Sequence, residues 1–141
     1  MREHITRLAL KLCGCPYIWG GSQPWNGFDC SGFVIWLYQA FAILPSGDWN
    51  AQALADHFPP PDNTIKAPPQ PGDLAFYGPH WRNVIPPMVY LGQGLTVGAS
   101  GGDHTTTTRD EAARRGAAVK VKPLTYRHDL LGTLHVPMPG D

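Results

Sequence analysis

The segment Phe28-Asp29-Cys30-Ser31-Gly32-Phe33 constrains this chain more than any other. A lone cysteine stands between two polar residues, and an unbroken apolar run follows: Phe33, Val34, Ile35, Trp36, Leu37, Tyr38. That order predicts a loop delivering a thiol to the first turn of a buried helix. A helix N-terminus carries positive partial charge and favours the thiolate, the nucleophilic form. Upstream lies Pro16-Tyr17-Ile18-Trp19-Gly20-Gly21, an aromatic segment ending in a flexible double glycine.

Around this centre the pattern divides in two. Ile5, Leu8, Ala9 and Leu12 recur at helical spacing, and Gly14 and Pro16 stop that helix. Residues 16–29 read as a loop. The helix from Cys30 runs to Ala42, and a third, Trp49 to Phe58, is capped by Asp48 and ended by Pro59-Pro60-Pro61. The second half reads as strands: Asp73 to Tyr77, then Met88 to Leu91 and Leu95 to Val97 across the hairpin signal Gly92-Gln93-Gly94. Thr108 caps a short helix, Arg109 to Arg115, before strands at Ala118 to Lys122 and Thr133 to Val136. Helices first and strands second give α+β. At 141 residues the expectation is one domain, 1–141, with a loose tail over 136–141.

Eleven basic and eleven acidic side chains cancel, and no basic stripe appears. Nucleic acid and anionic membrane are therefore not expected partners. No apolar run is long enough to span a bilayer. The charged start, Met1 to Arg7, lacks the apolar core of a signal peptide. Three cysteines make an odd set, and Cys13 and Cys15, split only by Gly14, are poorly spaced for a disulfide or a zinc knuckle. No metal and no cofactor is expected.

Four ordered segments carry a resemblance: Pro16 to Gly21, Asp29 to Phe33, Gln70-Pro71-Gly72-Asp73-Leu74-Ala75-Phe76-Tyr77, and Val89-Tyr90-Leu91-Gly92. Together they resemble the NlpC-type cysteine peptidases, papain-like endopeptidases of bacterial cell walls, from Leu8 to about Gly132. The resemblance implies a circularly permuted papain-like fold, its N-terminal helices packed on a small antiparallel sheet. It also implies a peptidoglycan stem peptide as substrate, cut between D-glutamate and the diamino acid. Cys30 matches the nucleophile and Tyr17 a tyrosine that shapes the site. Asp29 and Ser31 match positions that in some members hold the amino end of a stem peptide, although both residue types also simply cap helices. Trp19, in the same aromatic segment as Tyr17, is placed with them on the substrate side.

The resemblance fails at the base. Counting back from Val89-Tyr90-Leu91-Gly92 puts the family's histidine at Pro86, and its third polar residue falls at Gly98. Neither side chain can hold or move a proton. His80 and His104, both read as loop residues, are the candidate substitutes; the alternative for each is an exposed histidine with no role. Three readings stay open: an active endopeptidase with an unusual base, a weakened or inactive relative kept as a tail component or wall-binding module, and a different thiol reaction such as acyl transfer. The segment Gly98 to Thr108 further resembles members carried by tailed phages and gene transfer agents. That similarity implies synthesis in the bacterial cytoplasm without a signal peptide, a place on a virion or phage-like tail, and tail hub or tip proteins as partners. Trp25 and the Pro59 to Pro71 segment are the candidate docking surfaces.

Overall fold

The order of elements follows the sequence pattern: helices, then strands. The computed structural model describes residues 1–58 and 68–141. Helix α1 (Arg2–Lys11) buries Ile5 and Ala9 completely, with Leu8 and Leu12 packed half-buried against the same core. Strands β1 (Ser22–Gln23) and β2 (Gly27–Phe28) pair antiparallel within the stretch expected to be a loop. Two-residue strands are too short for alternation to show in a sequence.

Helix α2 (Cys30–Ala40) is the centre of the core. Phe33, Val34, Leu37 and Tyr38 are fully buried on it, and each such side chain contributes roughly 1.5–3 kcal/mol of burial. The helix ends two residues before the expected Ala42, because Ala42 takes φ +58° and turns the chain. A Cβ on Gly32 would collide with the carbonyl of Gly21, so the first turn of α2 fits against the Gly20-Gly21 turn only as glycine. Helix α3 (Ala51–His57) starts two residues later than expected. Its cap is Asn50, whose Oδ1 accepts from Ala53 N–H at 2.8 Å, and not Asp48. The proline stop at Pro59-Pro60-Pro61 lies outside the described residues.

Five antiparallel strands follow: β3 (Leu74–His80), β4 (Asn83–Gly92), β5 (Leu95–Ser100), β6 (Ala118–Pro123) and β7 (Leu130–Leu134), in the order β6-β5-β4-β3-β7. Helix α4 (Arg109–Arg115) joins β5 to β6, and Thr108 caps it as expected, accepting from Glu111 N–H at 3.1 Å. Gln93 at φ +55° and Gly94 at φ +76° turn β4 into β5, the geometry a two-residue hairpin needs. Helix α2 packs on β4 and β5. Strand β4 is central, yet it carries Pro86-Pro87. Its register with β3 shifts there, Ala75 facing Met88 while Tyr77 faces Ile85. A bulge is where a central strand tolerates residues that cannot donate to the ladder.

Two further expectations are corrected. Strand β7 begins at Leu130 rather than Thr133, drawn forward by its pairing with Tyr77. The tail is not loose. Val136 and Met138 are buried, and both oxygens of Asp141 accept from Arg2, at 2.9 and 2.8 Å. Arg2 also bonds Asp73 Oδ1 at 3.0 Å. Asp73, 3% exposed, takes the N–H of Gln70 and of Val136 as well. One buried carboxylate thus ties α1, the start of β3 and the C-terminus together.

Candidate active site

Cys30 is the first residue of α2, half-buried, with Asp29 as the N-cap. Asp29 Oδ1 accepts from Gly32 N–H at 2.7 Å and from the Ser31 hydroxyl at 3.4 Å. Capping therefore occupies one oxygen of Asp29, and the other has no hydrogen bond among the described residues. Tyr17 is pinned beside the thiol by its backbone, whose N–H donates to Ala117 O at 3.0 Å. Its ring lies under Gly102, where any Cβ would strike it. Burial, with the thiol and Asp29 as neighbours, holds the Tyr17 phenol well above its ordinary range, so it stays protonated and can donate to sulfur.

The thiol departs from expectation. Burial pushes the Cys30 pKa up, and the net shift is upward. The Tyr17 phenol draws it down, the Asp29 carboxylate raises it again, and Arg127 lowers it. A helix N-terminus alone favours thiolate. Here desolvation and the capping carboxylate outweigh the dipole.

The base side is filled with apolar matter. Pro86 occupies the bulge of β4. Val89 pairs with Val97 and Tyr90 with Thr96, which brings Met88 beside Gly98. A Cβ on Gly98 would run into the Met88 sulfur. Met88, 2% exposed, packs in a small cluster with Ala75 and Tyr77. The place of the third polar residue is therefore occupied by a thioether.

Neither candidate histidine hydrogen-bonds the Cys30 sulfur among the described residues. His80 is the last residue of β3, not a loop residue; it is exposed, and its Nδ1 accepts from Arg82 N–H at 3.3 Å. His104 is exposed in the loop after β5, edge-on to Trp19 with ring centres 6.2 Å apart. Trp19 itself is 55% exposed, its backbone N–H donating to Thr106 O at 2.8 Å. Among the described residues, the groups acting most strongly on Cys30 are Tyr17, Asp29 and Arg127, and no histidine is among them.

Sequence reasoning missed Tyr126 and Arg127. Both lie in the β6–β7 loop. Tyr126 stacks edge-on against Tyr77 at 5.2 Å, and Arg127 grips Asp129 through two bonds of 2.9 Å. Nothing local marks them; only the pairing of β7 with β3 carries that loop to the thiol. On the other side, beside Asp29 and Ser31, a groove of about 350 Å³ runs along α2 as far as Gln39 and Trp49.

A helix-borne thiol on an antiparallel sheet, flanked by Tyr17 and Asp29, defines a papain-like cysteine hydrolase scaffold. Residues 14–120 match the NlpC/P60 family, and the chain belongs to it. A probable endopeptidase of Mycobacterium tuberculosis is 40% identical over 101 residues, which is 70% of this chain and 23% of the relative. The chain thus spans about a quarter of the length of that relative. The peptidoglycan hydrolase RipB of M. tuberculosis superposes with a TM-score of 0.65 at 26% identity, covering 94% of this chain and 62% of RipB. RipD of M. tuberculosis, described as a non-catalytic NlpC/p60 domain protein, superposes with a TM-score of 0.64 at 19% identity, covering 94% of each chain. The same fold serves both, so the fold alone does not decide whether this chain cuts.

Proposed function

We propose that this chain is a weakened peptidoglycan cysteine endopeptidase: it binds a stem peptide over Cys30 and cuts the D-glutamyl–diamino acid bond slowly. Family membership and the endopeptidase relatives support the substrate class. The observation that carries the weakening is the filled base side, Pro86 in the β4 bulge and Met88 over Gly98.

The chemistry follows from those residues. Attack by sulfur on the scissile carbonyl needs the thiol proton removed. Breaking the C–N bond needs a proton delivered to the leaving amine, and release of the thioester needs a second deprotonation, of water. Tyr17 stands beside the sulfur, but burial keeps its phenol protonated, so it is a hydrogen-bond donor there and takes no proton. With no histidine hydrogen-bonded to the sulfur among the described residues, each proton then travels through water. Losing a positioned acid–base group costs ~10²–10⁴ in rate.

The setting that belongs to this reading is a phage or phage-like tail, with hub or tip proteins as partners. Its support is the resemblance of Gly98 to Thr108 to particle-borne members. Mass spectrometry of purified particles should detect the chain, and its presence only as free protein would count against that setting. The function itself is tested on purified sacculi. Wild type and Cys30→Ala should sediment with sacculi alike, while only wild type releases cleaved stem peptides. Absence of sacculus binding, or equal release by Cys30→Ala, would sink the reading.

A further inference from the structure

We infer that Arg127 is a specificity residue: its guanidinium receives the carboxylate of the diamino acid on the leaving side of the cut, so that this chain prefers stem peptides ending at that residue over longer ones. The inference rests on the function proposed above and names which stem peptides the site takes. On the side of the thiol that lacks its base, Met88 fills the place of the third polar residue and packs with Tyr77. Leu124 and Tyr126 pack against that same cluster. Arg127 is the next residue, so the β6–β7 loop stands on the base side. There it is fastened along its length. Leu124 N–H donates to Gly94 O at 2.7 Å, and the Tyr77 hydroxyl donates to Leu124 O at 2.7 Å. Gly78 N–H donates to Asp129 O at 3.0 Å.

The guanidinium is oriented before any ligand arrives. Its Nε and Nη2 donate to the two oxygens of Asp129, each at 2.9 Å, which fixes its plane. Nη1 and the second N–H of Nη2 have no hydrogen bond among the described residues. That edge presents parallel donors, the fork that matches a carboxylate, and at 42% exposure the side chain is open to one. Lys122, its ammonium 5.9 Å from the Tyr126 ring centre, adds a second positive charge beside the loop. Arg127 is near enough to the thiol to favour its ionisation, so the carboxylate it meets lies close to the scissile bond. Two carboxyl groups of a stem peptide qualify. A D-glutamyl residue linked through its γ-carboxyl keeps its α-carboxylate on the acyl side, toward Asp29 and Ser31. The diamino acid bears a carboxyl on the same carbon as the leaving nitrogen. In a papain-like site the base protonates the leaving amine, so the base side, where Arg127 stands, is the leaving side. The carboxyl there is an anion when the stem ends at the diamino acid and a neutral amide when another residue follows. A carboxypeptidase reaction, hydrolysing the amide beyond the diamino acid, must then supply the preferred substrate.

The test is titration calorimetry on Cys30→Ala protein, in which Arg127 has no active-site thiol to act on. The first probe is L-alanyl-γ-D-glutamyl-diaminopimelate. The second is the same peptide amidated at the carboxyl beside the leaving nitrogen, and the third is amidated at the D-glutamyl α-carboxyl instead. The first should bind at least about tenfold more tightly than the second, as a charge-assisted bidentate pair requires. Adding Arg127→Gln should erase that difference and leave the affinity of the second probe unchanged, which also shows the variant to be folded. Equal binding of the first two probes, a difference that persists in Arg127→Gln, or equal loss for all probes in that variant would overturn the inference while leaving the proposed function standing. So would a result in which Arg127→Gln erases the effect of amidating the D-glutamyl carboxyl, since that places the guanidinium on the acyl side. Failure of folded Cys30→Ala protein to bind any probe would overturn the proposed function and this inference with it.

Discussion

At the scale of single residues, the thiol is governed by a contest of small terms. Burial and the Asp29 carboxylate oppose ionisation of Cys30; the Tyr17 phenol and Arg127 assist it, and opposition wins. A thiol with a raised pKa is protonated across neutrality, and its reactivity climbs only as pH passes the raised value. Iodoacetamide labelling of Cys30, followed by peptide mass spectrometry to separate it from Cys13 and Cys15, should show an inflection above the ~8.5 of a free cysteine. Asp29→Asn retains a capping oxygen and removes the charge, so its inflection should move down. Tyr17→Phe removes the donor, so its inflection should move up. An inflection at or below the free-cysteine value in wild type would contradict this balance.

At the scale of elements, the β4–β5 hairpin decides what the site lacks. Met88 and Gly98 form a large–small pair, so their effects on stability should be coupled. Met88→Ala empties a buried volume and should cost about 2–5 kcal/mol. Gly98→Ala forces a methyl against the Met88 sulfur and should cost about 1–3 kcal/mol. The double variant should cost less than the two together by at least ~0.5 kcal/mol, measured by urea unfolding, because each change makes room for the other. Strict additivity would show that the two side chains do not share space. The pair also marks where the sequence stops being legible. Periodicity and caps were enough for α1, for the start of α2 and for α4, and the turn at Gln93-Gly94 announced the hairpin. A plain two-residue hairpin, however, pairing Gly92 with Leu95 throughout, would set Met88 opposite Ala99. The irregularity between Tyr90 and Gly92 moves the register by one and brings Gly98 there instead. Likewise Cys30, Tyr17 and Asp29 were readable from adjacent motifs, while Tyr126 and Arg127 reach the thiol only through strand pairing distant in sequence.

At the scale of the molecule, the two chain ends are clasped through charge. Arg2 bridges Asp73 and Asp141, and the Asp141 carboxyl is held down at about 2, chiefly by its bonds to Arg2. A folded-state value below the ordinary ~3.9 means that this contribution is present above about pH 4 and is lost as pH falls toward 2. Asp141→Asn should therefore lower the urea midpoint at pH 7, and the gap from wild type should narrow below pH 4. A gap independent of pH would show that the clasp acts through shape and not charge. The whole assembly then presents a thiol and a tyrosine with no histidine hydrogen-bonded to the sulfur among the described residues, and the central claim is that the missing acid–base partner limits hydrolysis. The most direct measurement is the rate of stem-peptide release from purified peptidoglycan by wild type, Pro86→His, His80→Ala, His104→Ala and Cys30→Ala. The account predicts slow release by wild type, none by Cys30→Ala, no change in the His80 and His104 variants, and a rise of about tenfold or more in Pro86→His, within the ~10²–10⁴ a positioned base is worth. Fast release by wild type that is abolished by His80→Ala or His104→Ala would contradict it.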